Sequence, residues 1–225
     1  MTRRLVVVSA GVGTPSSTRL LADRLTAAVR AQVGARGEDV AVDVVEVREL
    51  AAGLATMTTT AGLPVPAVTA TQDLVRAADG IIAVTPVFAA SYAGLFKMFW
   101  DTFNPDDLSG TPVLIGATAG TPRHSLVLDH AIRPLFGYFR TVVVPTGVFA
   151  ATADFGGAEG DQLNRRITRA ASELAALMVD TTGVAGFTPT TPARTRGSDL
   201  PDPTSITPFT RLLAGHDGSR RAQEG

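Results

Sequence analysis

Cysteine is absent from the 225-residue chain, which excludes disulfide bridges, a thiol nucleophile and cysteine-ligated metal centres. This absence fits the reducing cytoplasm, where we expect the protein to work. Lysine is nearly absent as well: Lys97 is the single lysine among 20 basic residues, and the formal net charge is −1. A nearly neutral chain of this kind indicates neither nucleic-acid binding nor a membrane-binding surface.

No apolar run approaches the roughly 20 residues of a membrane-spanning helix, and the run after Arg3 and Arg4 is too short for a signal peptide. Hydrophobic residues make up 45% of the chain and charged residues 18%, as in ordinary globular proteins. Beyond residue 183 the chain becomes rich in Pro, Thr and Gly. We therefore predict one domain over residues 1–183 and a largely disordered tail over 184–225. A small apolar cluster in the tail either stays disordered or docks on a neighbouring subunit; its members are Phe209, Leu212 and Leu213.

Five short apolar segments alternate with helical patterns along the rest of the chain. These segments are residues 5–9, 40–47, 80–85, 112–118 and 141–145. The alternation predicts an α/β fold with a five-stranded parallel sheet in the order 2-1-3-4-5 and helices on both faces. Residues 50–72 contain no charged residue and their middle lacks any period, which predicts an unstructured insertion of functional or mobile character.

Residues 85–101 join the third strand to an aromatic-rich helix. Because proline cannot donate to a sheet ladder, we expect the strand to end at Thr85, before Pro86, and Ser91 to cap the helix. Lys97 has two interpretations: a site that needs a compact ammonium group, or a surface ion pair with Asp101 one helical turn on. The helix carries apolar residues on more than one face, which predicts a subunit interface; these are Leu95, Phe96, Met98, Phe99, Trp100 and Phe103.

The first loop (residues 9–18) follows the first strand and is rich in glycine and hydroxyl side chains. Residues 11–16 nearly match a dinucleotide-binding fingerprint, with Glu46 as the acidic partner, but Ser16 stands where the third glycine belongs. The hydroxyls at a helix start favour a terminal phosphate monoester instead; they belong to Ser9, Thr14, Ser16, Ser17 and Thr18. No P-loop lysine is present, which argues against hydrolysis of a nucleoside triphosphate.

In a sheet of this order, three loops meet at the carboxyl edge. They are the first loop, the apolar second loop (residues 86–90) and the small-residue third loop (residues 118–122). A phosphorylated flat ring with polar edges suits all three, which points to FMN. The predicted contacts are Ser9, Thr14, Ser16, Ser17, Thr18, Pro86, Val87, Phe88, Ala89, Thr118, Ala119, Gly120 and Thr121. We predict no metal site.

The chain resembles NAD(P)H-dependent FMN reductases of the flavodoxin-like superfamily, in particular the alkanesulfonate-system branch that supplies two-component monooxygenases. The resemblance covers about residues 4–180 and rests on three motifs: residues 13–18, residues 78–97, and residues 118–134 with His124. It departs from the family at Phe88, where tyrosine is common, and in the first loop, which lacks an arginine that Arg19 could replace. His130 stands where that branch has a tyrosine associated with tetramer packing and flavin exchange.

The resemblance implies FMN and NAD(P)H as cofactors, a homodimer or homotetramer, and a flavin-dependent monooxygenase that receives the reduced flavin. Hydride would pass from nicotinamide to flavin N5, with backbone N–H groups of residues 87–89 at N5 and O4 and those of residues 119–121 at the N1–O2 edge. His124 and His130 are candidates for general acids, and residues 50–72 could cover the nicotinamide. The alternatives are a quinone or azo reductase with tightly held FMN, a flavodoxin-like electron carrier and a Rossmann dehydrogenase.

Overall fold

The computed structural model describes residues 2–156 and 158–179. The tail predicted over residues 184–225, with its apolar cluster, lies outside these residues. Seven strands occur in the described part: β1 Thr2–Ser9, β2 Asp39–Glu46, β3 Gly80–Phe88, β4 Ser91–Tyr92, β5 Pro112–Ala119, β6 Val142–Val143 and β7 Val148–Ala151. Six α-helices accompany them: α1 Ser17–Gly34, α2 Ala51–Thr59, α3 Pro66–Arg76, α4 Gly94–Trp100, α5 Arg133–Tyr138 and α6 Ala158–Val179. None of the helices in the described ranges is long and apolar enough to cross a membrane.

The main sheet is parallel, with strands in the order β2-β1-β3-β5-β6. This confirms the flavodoxin-like order 2-1-3-4-5, since β5 and β6 are the fourth and fifth main strands. Two apolar clusters cover the two faces of the sheet. The helices α1 and α6 pack on one face with Leu25 and Leu174, and α2 to α5 pack on the other with Leu54, Val75 and Phe136.

The fifth strand, predicted over residues 141–145, is split into two parts. β6 pairs with the start of β5, and β7 pairs with its end. Pro145 lies in the break, where a residue without an N–H is tolerated. Thr146 is held there by Glu173 of α6, whose carboxylate accepts from the Thr146 N–H at 2.8 Å and from its hydroxyl at 2.7 Å.

The prediction that the third strand ends at Thr85 is wrong. β3 continues through Pro86, which lies opposite Thr118 of β5, and then pairs antiparallel with β4. Ser91 is consequently a strand residue and not a helix cap: α4 starts at Gly94, and its N-cap Ala93 has no side-chain capping bond. The strand persists because its new antiparallel partner replaces the parallel ladder that Pro86 weakens.

The prediction of an unstructured insertion over residues 50–72 is also wrong, because α2 and α3 occupy most of it. Leu54 and Met57 of α2, and Val68 and Val75 of α3, are buried at helical spacing against the core. The helical period is hard to see in the sequence because threonine and alanine, and not charged residues, occupy most of the exposed positions. Pro66 at the first turn of α3 marks its start. Whether this segment covers a nicotinamide remains a prediction.

The aromatic residues of α4 fill the core of their own chain. Phe96, Phe99 and Trp100 are fully buried, and Trp100 contacts Phe136 of α5 edge to face, with ring centroids 4.8 Å apart. Edge-to-face pairs of this kind add stability beyond the burial of area. The α4 aromatics therefore cannot serve as evidence for a subunit interface. Lys97 forms the surface ion pair with Asp101, which confirms that interpretation.

Candidate functional site

The strand order brings the first, second and third loops together at the carboxyl edge of the sheet. β1 and β5 flank β3 on its two sides, so the loops that follow these strands are neighbours. A buried hydrogen bond joins two of them directly: the hydroxyls of Thr18, in the first turn of α1, and Thr118, at the end of β5, lie 2.8 Å apart. The three loops that carry the predicted site residues thus meet at one edge of the sheet.

The first loop curls tightly into the start of α1. A Cβ added to Gly11 would lie 2.1 Å from Ser16 Oγ, so a side chain at this position would displace the Ser16 hydroxyl. Ser16 is the N-cap of α1 and its hydroxyl accepts from the Arg19 N–H at 3.2 Å. Thr14 and Ser17 are exposed. Since α1 has no acidic residue in its first turn, the positive end of its dipole is left for an anion.

Three of the predicted FMN contacts lie below the surface. Ser9, Thr18 and Thr118 are at most 2% exposed, and the Thr18 and Thr118 hydroxyls are already bonded to each other. The Ser9 hydroxyl has no hydrogen-bond partner within the described residues. These three side chains lie beneath the loops, whereas Thr14 and Ser17 are exposed.

The second loop contains the turn of a hairpin (residues 87–92), in which the end of β3 pairs with β4. Its two turn residues, Ala89 and Ala90, have left-handed backbone angles with φ of 47° and 65°, as a two-residue type I′ turn requires. Both are exposed, and the Phe88 side chain is 49% exposed. Thr85 anchors the hairpin: its buried hydroxyl accepts from the Ala93 N–H at 3.0 Å and donates to the Pro86 carbonyl at 2.9 Å.

The third loop leaves β5 at Ala119 and enters a short 3-10 helix, Pro122–His124. Gly120 and Thr121 are exposed, so their backbone groups are accessible to a ligand at this edge. The chain then forms a π-helical turn over Leu128–Ile132, directly before α5. Turns of this kind are often found at functional sites.

His124 and His130, the candidate general acids, lie on different elements. His124 ends the 3-10 helix and His130 lies in the π-helical turn, and both are exposed. Nothing in the described contacts positions either imidazole toward the other loops. A catalytic role for them remains a prediction.

Two arginines flank the first loop on the side of β2. Arg19 donates to Asp23 at 2.8 Å and to Glu46 at 2.5 Å. Both hydrogen bonds raise the pKa of Arg19, and the bond to Glu46 has the larger effect. Glu46 is therefore already engaged and does not act as the free acid of a dinucleotide fingerprint. Arg48, which sequence reasoning missed, donates to the Gly13 carbonyl at 3.1 Å and to Thr14 Oγ1 at 2.8 Å. Because 34 residues separate Arg48 from Thr14 in the sequence, no local motif indicates this contact.

The residues present fit FMN. Exposed hydroxyls and free N–H groups at the start of α1 suit its phosphate, and the hairpin and the third loop offer accessible backbone groups for the polar edge of its ring.

The chain is similar to known flavin reductases. Residues 3–156 match the family model described as NADPH-dependent FMN reductase. The chain is 38% identical over 179 residues to an FMN reductase (NADPH) of Pseudomonas aeruginosa, covering 77% of this chain and 91% of that protein. It is 39% identical over 154 residues to the NADH-dependent FMN reductase SfnE of Pseudomonas putida, covering 68% and 81%.

A solved structure agrees with the sequence comparisons. The fold matches that of an oxidoreductase from Corynebacterium diphtheriae with a TM-score of 0.77 and 54% sequence identity, over 79% of this chain and 97% of that chain. The family match covers both the first loop and the third, so it includes all three loops of the carboxyl edge. The chain belongs to the NADPH-dependent FMN reductase family and is an oxidoreductase that uses NAD(P)H and FMN.

Proposed function

We propose that this protein reduces FMN with NAD(P)H and releases the reduced flavin to a partner flavin-dependent monooxygenase. The observation that carries the proposal is the likeness to proteins named FMN reductase (NADPH) and NADH-dependent FMN reductase, names that give FMN as the molecule reduced. A flavin that must leave after each turnover needs an affinity near the micromolar range, about −8 kcal/mol. A fixed prosthetic group needs nanomolar affinity, about −12 kcal/mol.

The proposed FMN seat uses the three loops for separate tasks. Thr14, Ser16 and Ser17 hold the phosphate, while Ser9, Thr18 and Thr118 support them from below. The backbone N–H groups of residues 87–89 and 119–121 orient the ring from its two polar edges, and the Pro86 and Phe88 side chains lie beside it. Bound FMN supplies the hydride chemistry. The chain's own contribution is to position the ring and to place N–H donors where negative charge develops.

The test is a comparison of flavin retention with flavin dependence. The chain is purified, dialysed and examined for bound yellow flavin, and oxidation of NADH and of NADPH is then measured with and without added FMN. We expect little retained flavin and a rate that requires added FMN. Tightly retained flavin with rapid reduction of a quinone or azo acceptor would favour the quinone or azo reductase, and oxidation of NAD(P)H without any flavin would contradict the proposal.

Delivery to a monooxygenase needs its own measurement. The reductase and a flavin-dependent monooxygenase that has no reductase activity are mixed with NAD(P)H and catalytic FMN, and product is measured. The same pair is then separated by a dialysis membrane that FMN can cross. Product in the mixture supports supply of reduced flavin, and no product in either arrangement would contradict it.

We also propose that the chain assembles as a homodimer or homotetramer. Exposed apolar side chains outside the flavin seat support this, notably Leu126 and Tyr138, each 64% exposed. Sedimentation equilibrium gives the mass directly. Tyr138→Asp should lower the assembly state without unfolding the chain, whereas a wild-type mass of one chain at micromolar concentration would contradict assembly.

A further inference from the structure

Arg48 reaches from the segment after β2 to the first loop. Arg48 is the second residue of a short 3-10 helix, Val47–Leu50. One of its terminal nitrogens donates both to the Gly13 carbonyl and to Thr14 Oγ1. Its Nε lies 4.0 Å from Glu46 Oε2. These contacts fix the guanidinium between a carboxylate on the sheet and the outer side of the loop.

The groove beside Arg48 is not itself an anion site. It has a volume of about 270 Å³ and is bounded by the first loop, α1 and the end of β2. Two arginines line it, Arg19 and Arg48, and two carboxylates, Asp23 and Glu46, balance their charge. An additional phosphate would find no net positive charge here. The arginines are better explained by their contacts with the protein.

Strand order shows from which side Arg48 holds the loop. β2 pairs with β1 on one side, whereas β3 and β5 lie on the other. The hairpin and the third loop, which would hold the flavin ring, are therefore on the opposite side of the first loop from Arg48. Its guanidinium supports the loop from behind the ligand.

The contact has a direct effect on which groups the loop presents. The Gly13–Thr14 peptide is trans, so the Gly13 carbonyl and the Thr14 N–H point in opposite directions. Holding the carbonyl toward β2 turns the N–H away from β2. Because Thr14 Oγ1 accepts from Arg48, its own hydrogen is left to donate elsewhere. Both changes favour binding of an anion.

We propose that Arg48 is a positioning residue for phosphate recognition, holding Gly13 and Thr14 so that the first loop presents donors to the FMN phosphate. The inference rests on the FMN seat proposed above. The first loop itself contains no basic residue, and Arg48 acts from the neighbouring strand end, through its hydrogen bonds to the loop and not by contact with the ligand.

The test separates phosphate recognition from ring binding. Dissociation constants for FMN and for riboflavin, which lacks the phosphate, are measured by quenching of flavin fluorescence for the wild type, Arg48→Ala and Arg48→Lys. We expect Arg48→Ala to weaken FMN about tenfold, equivalent to about 1.4 kcal/mol, and to leave riboflavin within about twofold. Arg48→Lys should recover part of the loss, since its ammonium keeps the charge but not the planar fork.

Arg36→Ala is the matched control. Arg36 also donates to backbone carbonyls across elements, those of Gln32 and Ser172, but at the other end of α1. It should change neither dissociation constant. Equal weakening of FMN and riboflavin by Arg48→Ala, or no weakening of either, would overturn the role of Arg48. A wild type that binds riboflavin as tightly as FMN would instead contradict the proposed phosphate seat.

Discussion

Thr85 is the residue that connects the third strand to the hairpin and to α4. Its hydroxyl accepts a hydrogen bond from the Ala93 N–H and donates one to the Pro86 carbonyl, and the side chain is fully buried. Thr85→Val keeps the shape but leaves the buried Ala93 N–H without an acceptor. We expect it to lower the free energy of unfolding by about 1–3 kcal/mol, measured by chemical denaturation.

Thr85→Ser is the matched variant, because it keeps the hydroxyl and removes only a methyl group. It should lose less stability than Thr85→Val and should bind FMN as the wild type does, whereas Thr85→Val should bind FMN more weakly through a loosened hairpin. A Thr85→Val protein as stable as the wild type would show that the hydroxyl does not anchor the hairpin.

At the scale of single residues, the sequence predicted side-chain chemistry better than side-chain placement. The hydroxyl cluster of the first loop was visible, because serine and threonine before a helix favour capping and anion binding. Burial was not visible: Thr18 and Thr118 use their hydroxyls on each other across 100 residues. Arg48 was missed for the same reason, since only the pairing of β2 with β1 brings it beside Gly13.

The hairpin has two successive residues with strained backbone angles. Ala89 and Ala90 adopt left-handed angles, which cost a residue with a Cβ roughly 1–2 kcal/mol relative to right-handed ones. Glycine adopts them freely but loses more entropy on folding. Ala89→Gly should therefore raise the free energy of unfolding by about 0.5–1 kcal/mol, measured by urea denaturation.

Ala90→Val tests the same strain in the opposite direction. Valine disfavours a positive φ more strongly than alanine because its Cβ is branched, so this variant should unfold at lower urea concentration than the wild type. Both side chains are exposed, which keeps changes in core packing out of the comparison. A valine variant as stable as the glycine variant would contradict strain in the turn.

At the scale of elements, the sequence predicted which segments exist more reliably than where they end. The main strands and the long helices α1 and α6 follow from apolar period alone. The end of β3 did not follow from the sequence. Proline indicates the end of a strand, but β3 continues past Pro86 because it pairs with β4. Helix α2 did not follow from the sequence, because threonine and alanine on its exposed face contrast little with the buried Leu54 and Met57.

In the whole molecule, the two edges of the sheet have different tasks. The carboxyl edge carries the three loops of the proposed FMN seat, and the amino edge is closed by Arg3 of β1. Arg3 donates to the Glu38 carboxylate at 2.5 and 3.0 Å and to the Val179 carbonyl at 3.3 Å. It thus ties together the start of β1, the segment before β2 and the end of α6.

This edge gives folding stability a defined dependence on pH. The hydrogen bond from Arg3 lowers the pKa of Glu38 from its usual value of 4.5. Since the folded-state pKa lies below that of the unfolded chain, the stabilisation is complete above about pH 4.5 and is lost as the pH falls through the folded value. Glu38→Gln should therefore lower the Tm at pH 7 and differ less from the wild type as the pH falls below 4.5.

The same variant tests whether the two edges are independent. Glu38 lies at the amino edge, so Glu38→Gln should leave the FMN dissociation constant at pH 7 unchanged, whereas Arg48→Ala should raise it with little change in Tm. Distant sites without shared partners usually contribute additively, and the double variant should show both effects at their single-variant sizes. A Tm difference for Glu38→Gln that stays constant from pH 7 to below pH 4.5 would mean that the ion pair does not cause it. Weaker FMN binding in that variant would mean that the edges are coupled through the sheet.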